Sequence, residues 1–255
     1  MADERTLIVT GAAGGLGAAS VQLLLERGVR VVAMDLDSGS IEAALDERGV
    51  NVAADNVTYV SGDVSRAADV RRVVELARER FGRIDALFNN AAMLGPSQPL
   101  AGYDEDAFRR VLDVNVTGVW LFMKAALPEL SRRRGRIVNT ASIAGLIGWS
   151  NLSGYTAAKH AVIGLTRAIA IEAADAGVTV NALCPGSMDT TMLWECAEGL
   201  GVGSEEAREL LTAAIPAGKI ADPLEVAGAA VWLLLDAPDY LTGAAIPVDG
   251  GQTAA

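Results

Sequence analysis

Short runs of apolar and β-branched residues, Leu7–Val9, Val29–Met34, Val57–Val60, Ile84–Phe88, Ile137–Val138, Val178–Leu183 and Ala245–Val248, alternate along the chain with stretches of helical periodicity. This alternation constrains the fold more than any other feature. Strands that are apolar throughout need cover on both faces. Strand–helix–strand units supply it through right-handed crossovers, so the pattern predicts an α/β fold with a parallel sheet and helices on either side. The clearest helix is expected after Ser65, a candidate N-cap, where Val70, Val73, Val74, Ala77 and Phe81 recur at the spacing of one buried face. Of the 255 residues, 51% are hydrophobic, and no linker, low-complexity segment or repeat interrupts them, so residues 1–255 are expected to form one domain.

Ligands of such sheets bind beyond the carboxyl ends of the strands, which directs attention to the residues after each apolar run. Leu7-Ile8-Val9 leads into Thr10-Gly11-Ala12-Ala13-Gly14-Gly15-Leu16-Gly17. Glycines there let the backbone approach a phosphate, and the helix that follows offers unpaired N–H groups to an anion. Asp35, after the second run, stands where a carboxylate can accept hydrogen bonds from an adenosine ribose. It also repels a 2′-phosphate, and Leu36-Asp37-Ser38 brings no cation to offset that repulsion, so NAD is expected over NADP. Asp63-Val64, after the third run, can reach an adenine amino group and flank its ring. Asn89-Asn90-Ala91-Ala92, after the fourth, is small enough for the main chain to lie against a flat ligand.

Tyr155 and Lys159 are four residues apart in a helical stretch and therefore share a face. An ammonium beside a phenol favours phenolate and lowers its pKa, and such a tyrosine can exchange a proton with a substrate oxygen. Ser142, at the end of a strand pattern, can donate a hydrogen bond to that same oxygen. The lone histidine, His160, falls on another side of the helix and reads as structural, which leaves a Ser–His–Asp hydrolase without a base.

Charge and composition exclude other classes. With 21 Lys and Arg against 32 Asp and Glu, the net charge is −11, which disfavours nucleic acid and anionic membrane as partners. Arg132-Arg133-Arg134 reads as a solvated helix end. No apolar run approaches the ~18 residues of a membrane span. Met-Ala-Asp-Glu-Arg lacks the design of a secretory signal, so a cytoplasmic location is expected. Cys184 and Cys196 give no disulfide framework and read as small buried residues; with one histidine, no metal site is expected.

The ordered set Thr10-Gly11 through Gly15-Leu16-Gly17, Asp63, Asn89-Asn90-Ala91, Asn115, Ser142, Tyr155 with Lys159, Asn181, Pro185-Gly186, Thr190 and Asp249-Gly250-Gly251 resembles the short-chain dehydrogenase/reductase family over essentially the whole chain. The resemblance implies a single-domain Rossmann fold with a doubly wound sheet of seven parallel strands, assembled as a homotetramer. It implies hydride transfer between a nicotinamide dinucleotide and an alcohol or carbonyl carbon. Tyr155 would be the general acid/base and Ser142 would orient the substrate oxygen. Lys159 would lower the tyrosine pKa and hold the nicotinamide ribose, and Asn115 would join Lys159 to solvent through a water on its backbone carbonyl. Thr190 would contact the carboxamide. The family often has glycine where this chain has Ala92, which adds a methyl near the cofactor.

Residues 187–219 are expected to form a lid. Met188, Met192, Leu193 and Trp194 from the lid, with Met93, Leu94, Leu146, Ile147, Trp149 and Leu152 opposite, suggest an apolar pocket for a small uncharged substrate. A hydrophobic secondary alcohol or ketone, cyclic by likeness of the 145–155 segment, is expected. A 3-oxoacyl carrier-protein reductase is the alternative enzyme, but it would use NADPH and need basic surface for an acidic carrier. A non-catalytic dinucleotide sensor is opposed by the intact Ser142, Tyr155 and Lys159.

Overall fold

The computed structural model describes residues 4–51, 55–198 and 204–254. Seven strands form one parallel sheet in the order β3-β2-β1-β4-β5-β6-β7. They are β1 (Thr6–Thr10), β2 (Arg30–Asp35), β3 (Val57–Ser61), β4 (Ala86–Asn89), β5 (Arg136–Thr140), β6 (Thr179–Pro185) and β7 (Ala245–Val248). All five residues of β1 and all seven of β6 are buried. Their burial on both faces explains why the runs are continuous rather than alternating.

Helices α1 (Gly15–Glu26), α2 (Ser38–Asp46) and α9 (Pro223–Leu235) cover one face, where Leu16, Val21, Leu24, Val226 and Leu234 close over Leu7, Val9 and Phe88. On the other face α3 (Ala67–Phe81), α5 (Gly118–Arg133) and α6 (Ser153–Glu172) pack Val73, Phe122, Met123 and Val162 onto Ile8, Val32 and Ile137. The chain reverses its direction of winding between β1 and β4, where Val9 pairs with Phe88 on one side and Ala33 on the other. A crevice opens at that switch point.

The helix predicted after Ser65 exists, but Ser65 does not cap it. Arg66 occupies the N-cap position without a side-chain bond, and the Ser65 hydroxyl instead donates to Asp63 at 2.6 Å. The strands also run past their apolar cores to polar ends such as Thr10, Asp35, Asn89 and Thr140, whose backbones still belong to the sheet.

Residues 105–133 form one continuous helix in which α4 (Glu105–Leu112) and α5 are joined by the wide turn Asp113–Thr117. At 29 residues it is long and apolar enough to cross a membrane by length and composition alone. Here Val119, Phe122, Met123, Ala126 and Leu130 are buried in the core. Arg132, Arg133 and Arg134 lie exposed at its end, as a solvated terminus should.

Candidate active site

A cleft of about 890 Å³ lies over the carboxyl ends of the strands, lined from Asp35 at one end to Trp149 and Leu152 at the other. Its glycine loop is shaped by close approaches. Gly11 has φ +64°, and a Cβ there would lie 2.7 Å from the Ala91 Cα; a Cβ on Gly17 would stand 2.0 Å from the Gly11 carbonyl oxygen. Gly11, Gly15 and Leu16 therefore line the cleft, whereas Gly17 acts behind it by letting α1 fold back on the loop. Gly14 caps α1 without a side-chain bond and no acidic residue occupies the first turn, so the helix amides stay available to an anion.

The Asp35 carboxylate accepts from the Ala13 and Leu36 amides, each at 2.8 Å, which fixes it beside the glycine loop with lone pairs to spare. Leu36 is 70% exposed. Asp63 and Val64 line the same end. Hydrogen bonds from Ser65 and Arg110 hold the Asp63 carboxyl down to about 2 despite its partial burial.

Asn89 does not face the cleft. Its amide is buried and donates to Asn139 Oδ1 at 2.8 Å, and Asn139 donates to Thr166. The next residue takes the expected place: Asn90 lines the cleft, donates to the Gly11 carbonyl at 3.0 Å and accepts from the Thr140 hydroxyl. Ala91 and Ala92 follow along the wall. Asn115 is likewise off the cleft surface. Its buried amide accepts from the Met93 N–H and donates to the Met93 carbonyl, both at 2.8 Å, so it pins the pocket wall formed by Met93 and Leu94.

At the other end Ser142, Tyr155 and Lys159 come together. Gly145 closes the turn after β5, and a Cβ there would strike the Lys159 carbonyl at 2.7 Å; its absence brings Ser142 against α6. The Ser142 hydroxyl accepts from the Ala144 amide at 3.1 Å, and Ser142 shares the cleft wall with Tyr155. Lys159 Nζ donates to the Thr140 carbonyl at 2.8 Å and lies 5.4 Å from the centre of the Tyr155 ring. Burial pushes the phenol up to about 12, a rise the neighbouring Ser142 hydroxyl only partly offsets, and pushes the lysine down to about 8. Desolvation of the charged phenolate sets the direction for Tyr155. The ammonium sits over the Tyr155 ring and donates to the Thr140 carbonyl.

Pro185, Gly186, Met188 and Thr190 continue the wall from β6. A Cβ on Gly186 would press on Asp249 at 2.8 Å, so the Asp249-Gly250-Gly251 turn backs this segment. Of residues 187–219, the expected lid, 199–203 lie outside the described residues, and the rest carries α7 (Thr191–Glu198) and α8 (Ser204–Ala213). Met192 faces inward with Sδ 4.0 Å from the Tyr155 hydroxyl. Trp194 does not line the cleft: its Nε1 donates to Asp189 at 2.8 Å and the Arg208 guanidinium stacks on its ring. Helical spacing accounts for this, since Glu195 and Cys196, three and four residues from Met192, share its face and do line the cleft. Cys196 is therefore half-buried in the pocket wall, unlike fully buried Cys184. Leu146 and Ile147 fall outside the cleft lining. Both cations of this segment are paired, Arg208 with Asp189 and Lys219 with Glu225. His160 is exposed, with Nδ1 2.9 Å from the Thr156 carbonyl.

A glycine cradle at an open helix N-terminus, a carboxylate beside it and a tyrosine, serine and lysine at the far end of one cleft define a nicotinamide-dinucleotide oxidoreductase that acts on CH–OH groups. A family model described as enoyl-(acyl carrier protein) reductase matches residues 11–253. The chain is 39% identical over 252 residues to the 2,5-dichloro-2,5-cyclohexadiene-1,4-diol dehydrogenase of Sphingobium indicum, covering 98% of this chain and 97% of that one. Levodione reductase superposes with a TM-score of 0.91 at 35% identity over the whole of both chains. A variant actinorhodin polyketide ketoreductase solved with NADPH superposes with a TM-score of 0.89 at 32% identity over 99% of each chain. The chain belongs to the short-chain dehydrogenase/reductase family.

Proposed function

We propose that this protein is an NAD-dependent dehydrogenase of uncharged, ring-bearing secondary alcohols, working reversibly with the corresponding ketones. The observation that carries the reading is the joining of Ser142, Tyr155 and Lys159 to an apolar wall of Met93, Leu94, Leu152 and Met192 in one cleft. The relatives that act on a cyclohexadiene diol and on levodione support the ring.

Bound nicotinamide supplies the hydride acceptor for alcohol oxidation and the donor for ketone reduction. The protein handles the proton. Tyr155 takes it from the alcohol oxygen or returns it to the ketone oxygen, and Ser142 donates a hydrogen bond as charge develops there. Lys159 holds the nicotinamide ribose, and its charge favours the phenolate form of Tyr155. The wide turn at Asn115 alters the regular pairing of backbone carbonyls, which suits a water-linked path from Lys159 to solvent. Thr190 holds the carboxamide. Asp35 binds the adenosine ribose and turns NADP away, the glycine loop takes the pyrophosphate, and Asp63 and Val64 receive the adenine. Trp120, Trp232, Ile171 and Tyr240 remain exposed away from the cleft, which supports self-association; four copies are expected by light scattering.

The test is absorbance of the reduced nicotinamide, with NAD and NADP in parallel, against cyclohexanol, aliphatic secondary alcohols and an acetoacetyl thioester. NAD-linked oxidation of the ring alcohol, falling at least ~100-fold in Tyr155→Phe, is expected. Activity confined to NADPH and the thioester would establish the ketoreductase alternative, which the NADPH-bound structural relative makes worth testing. Turnover that survives Tyr155→Phe would remove Tyr155 from its role.

A further inference from the structure

Arg110 stands in the last turn of α4 and lines the cleft at the end away from Tyr155, yet nothing in its local sequence marks it. Its Nη2 donates to Asp63 Oδ2 at 2.9 Å and its Nη1 to the Ser65 hydroxyl at 3.0 Å. Ser65 in turn donates to Asp63 Oδ1 from both its amide, at 2.9 Å, and its hydroxyl, at 2.6 Å. The three residues form a closed ring of hydrogen bonds. A carboxylate offers about four acceptor sites. Three are engaged by these bonds, and Arg66, 3.9 Å from Oδ2, lies beyond hydrogen-bond reach. One acceptor on Oδ2 is left, and the ring prevents the carboxylate from rotating it away.

We propose that Arg110 is a positioning residue for purine recognition, holding Asp63 so that its remaining acceptor meets the 6-amino group of adenine and turns away a 6-keto purine. A fixed, ionised carboxylate can only accept, so an amino group gains a hydrogen bond and a keto oxygen meets repulsion. Because Arg110 and Asp63 are 47 residues apart, the contact also ties α4 to the loop after β3. This rests on the reading of Asp63 as the adenine contact.

Equilibrium binding to the full chain of NAD and of nicotinamide hypoxanthine dinucleotide, measured by calorimetry, tests it. The unsubstituted protein should bind the adenine form about tenfold or more tightly. Arg110→Met should reduce that ratio below about threefold, chiefly by weakening the adenine form, and Arg110→Lys should recover part of it. Equal weakening of both dinucleotides, or an unchanged ratio, would make Arg110 structural and overturn the proposal. Asp63→Asn separates the two levels. If the ratio falls in that variant but not in Arg110→Met, only the role of Arg110 fails; if it stays the same, Asp63 does not meet the purine at all. A ratio near one in the unsubstituted protein also overturns both.

Discussion

Replacing Lys159 by methionine should remove activity and yet make the protein more stable at neutral pH. Lys159 is 2% exposed, and its amine finds the Thr140 carbonyl but no carboxylate partner among the described residues. Burial lowers its pKa from 10.5 to about 8. Below pH 8 the amine is protonated in both the folded and the unfolded chain, and the folded state carries the whole cost of a buried ammonium. As pH rises through about 8 the folded chain releases the proton while the unfolded chain keeps it until about 10.5. The cost then disappears, so this group makes stability climb across that window. At 1.36 kcal/mol per pKa unit the buried charge costs about 3 kcal/mol at pH 7. The variant also loses the hydrogen bond to Thr140, about 1 kcal/mol. The balance is a gain of about 2 kcal/mol for Lys159→Met at pH 7, since a methionine of similar length fills the space.

Urea denaturation of both proteins between about pH 7 and pH 10 measures this. Burial raises Cys184 to about 11 and Tyr155 to about 12. Both groups then hold protons longer when folded, so their contributions fall above pH 9 and pH 10 respectively and blunt the climb in either protein. The informative quantity is therefore the difference between the two curves, which should narrow as pH rises. If the variant is less stable than the parent by more than about 1 kcal/mol at pH 7, or the curves run parallel, the ammonium is a net stabiliser and the reasoning fails.

Asp35→Ala combined with Leu36→Arg should raise the NADP to NAD ratio of kcat/KM at least tenfold, because a repelling carboxylate is exchanged for a cation at the ribose; unchanged cofactor ratios would refute the ribose assignment. Met192→Ala removes the side chain that covers the Tyr155 hydroxyl. Kinetics with substituted cyclohexanols should show a several-fold gain relative to cyclohexanol itself, and a constant ratio would mean that Met192 does not limit ring size. Trp194→Ala, on the outward side of α7, should leave KM for both substrates within about twofold while lowering the thermal midpoint of the protein through loss of the Asp189 and Arg208 contacts. A selective rise in alcohol KM would return Trp194 to the pocket.

What the sequence revealed follows from the physics of each part. Parallel strands buried on both faces leave uninterrupted apolar runs, so β1, β2 and β6 were legible, and the glycine loop was legible because steric exclusion acts on neighbours in the chain. Details that depend on side-chain direction were less so. Asn89 and Asn90 are adjacent, and the alternation of a strand sends one under the sheet and the other into the cleft. Ser65 looks like a helix cap, but Asp63 competes for its hydroxyl. Apolar character alone groups Trp194 with the pocket residues, whereas the period of α7 selects Met192, Glu195 and Cys196. Arg110 left no local signal because its meaning lies in a partner 47 residues away.

The helix from Glu105 to Arg133 shows why such long-range parts belong to one design. Arg110 reaches Asp63 at the end of the cleft away from Tyr155, Asn115 fixes the wall at Met93, and Gly118 lets the same helix approach Val64, whose Cγ2 would lie 2.8 Å from a Cβ there. Five residues separate Arg110 from Asn115, and in a regular α-helix that spacing turns their side chains well apart. The wide turn over Asp113–Thr117, in which the Gly118 amide bonds the carbonyl of Asp113 five residues back, rotates less per residue. It brings Asn115 to Met93 while the following turns keep Phe122 and Leu130 on the core. One local irregularity thus lets a single helix serve the cleft with its first half and the sheet with its second.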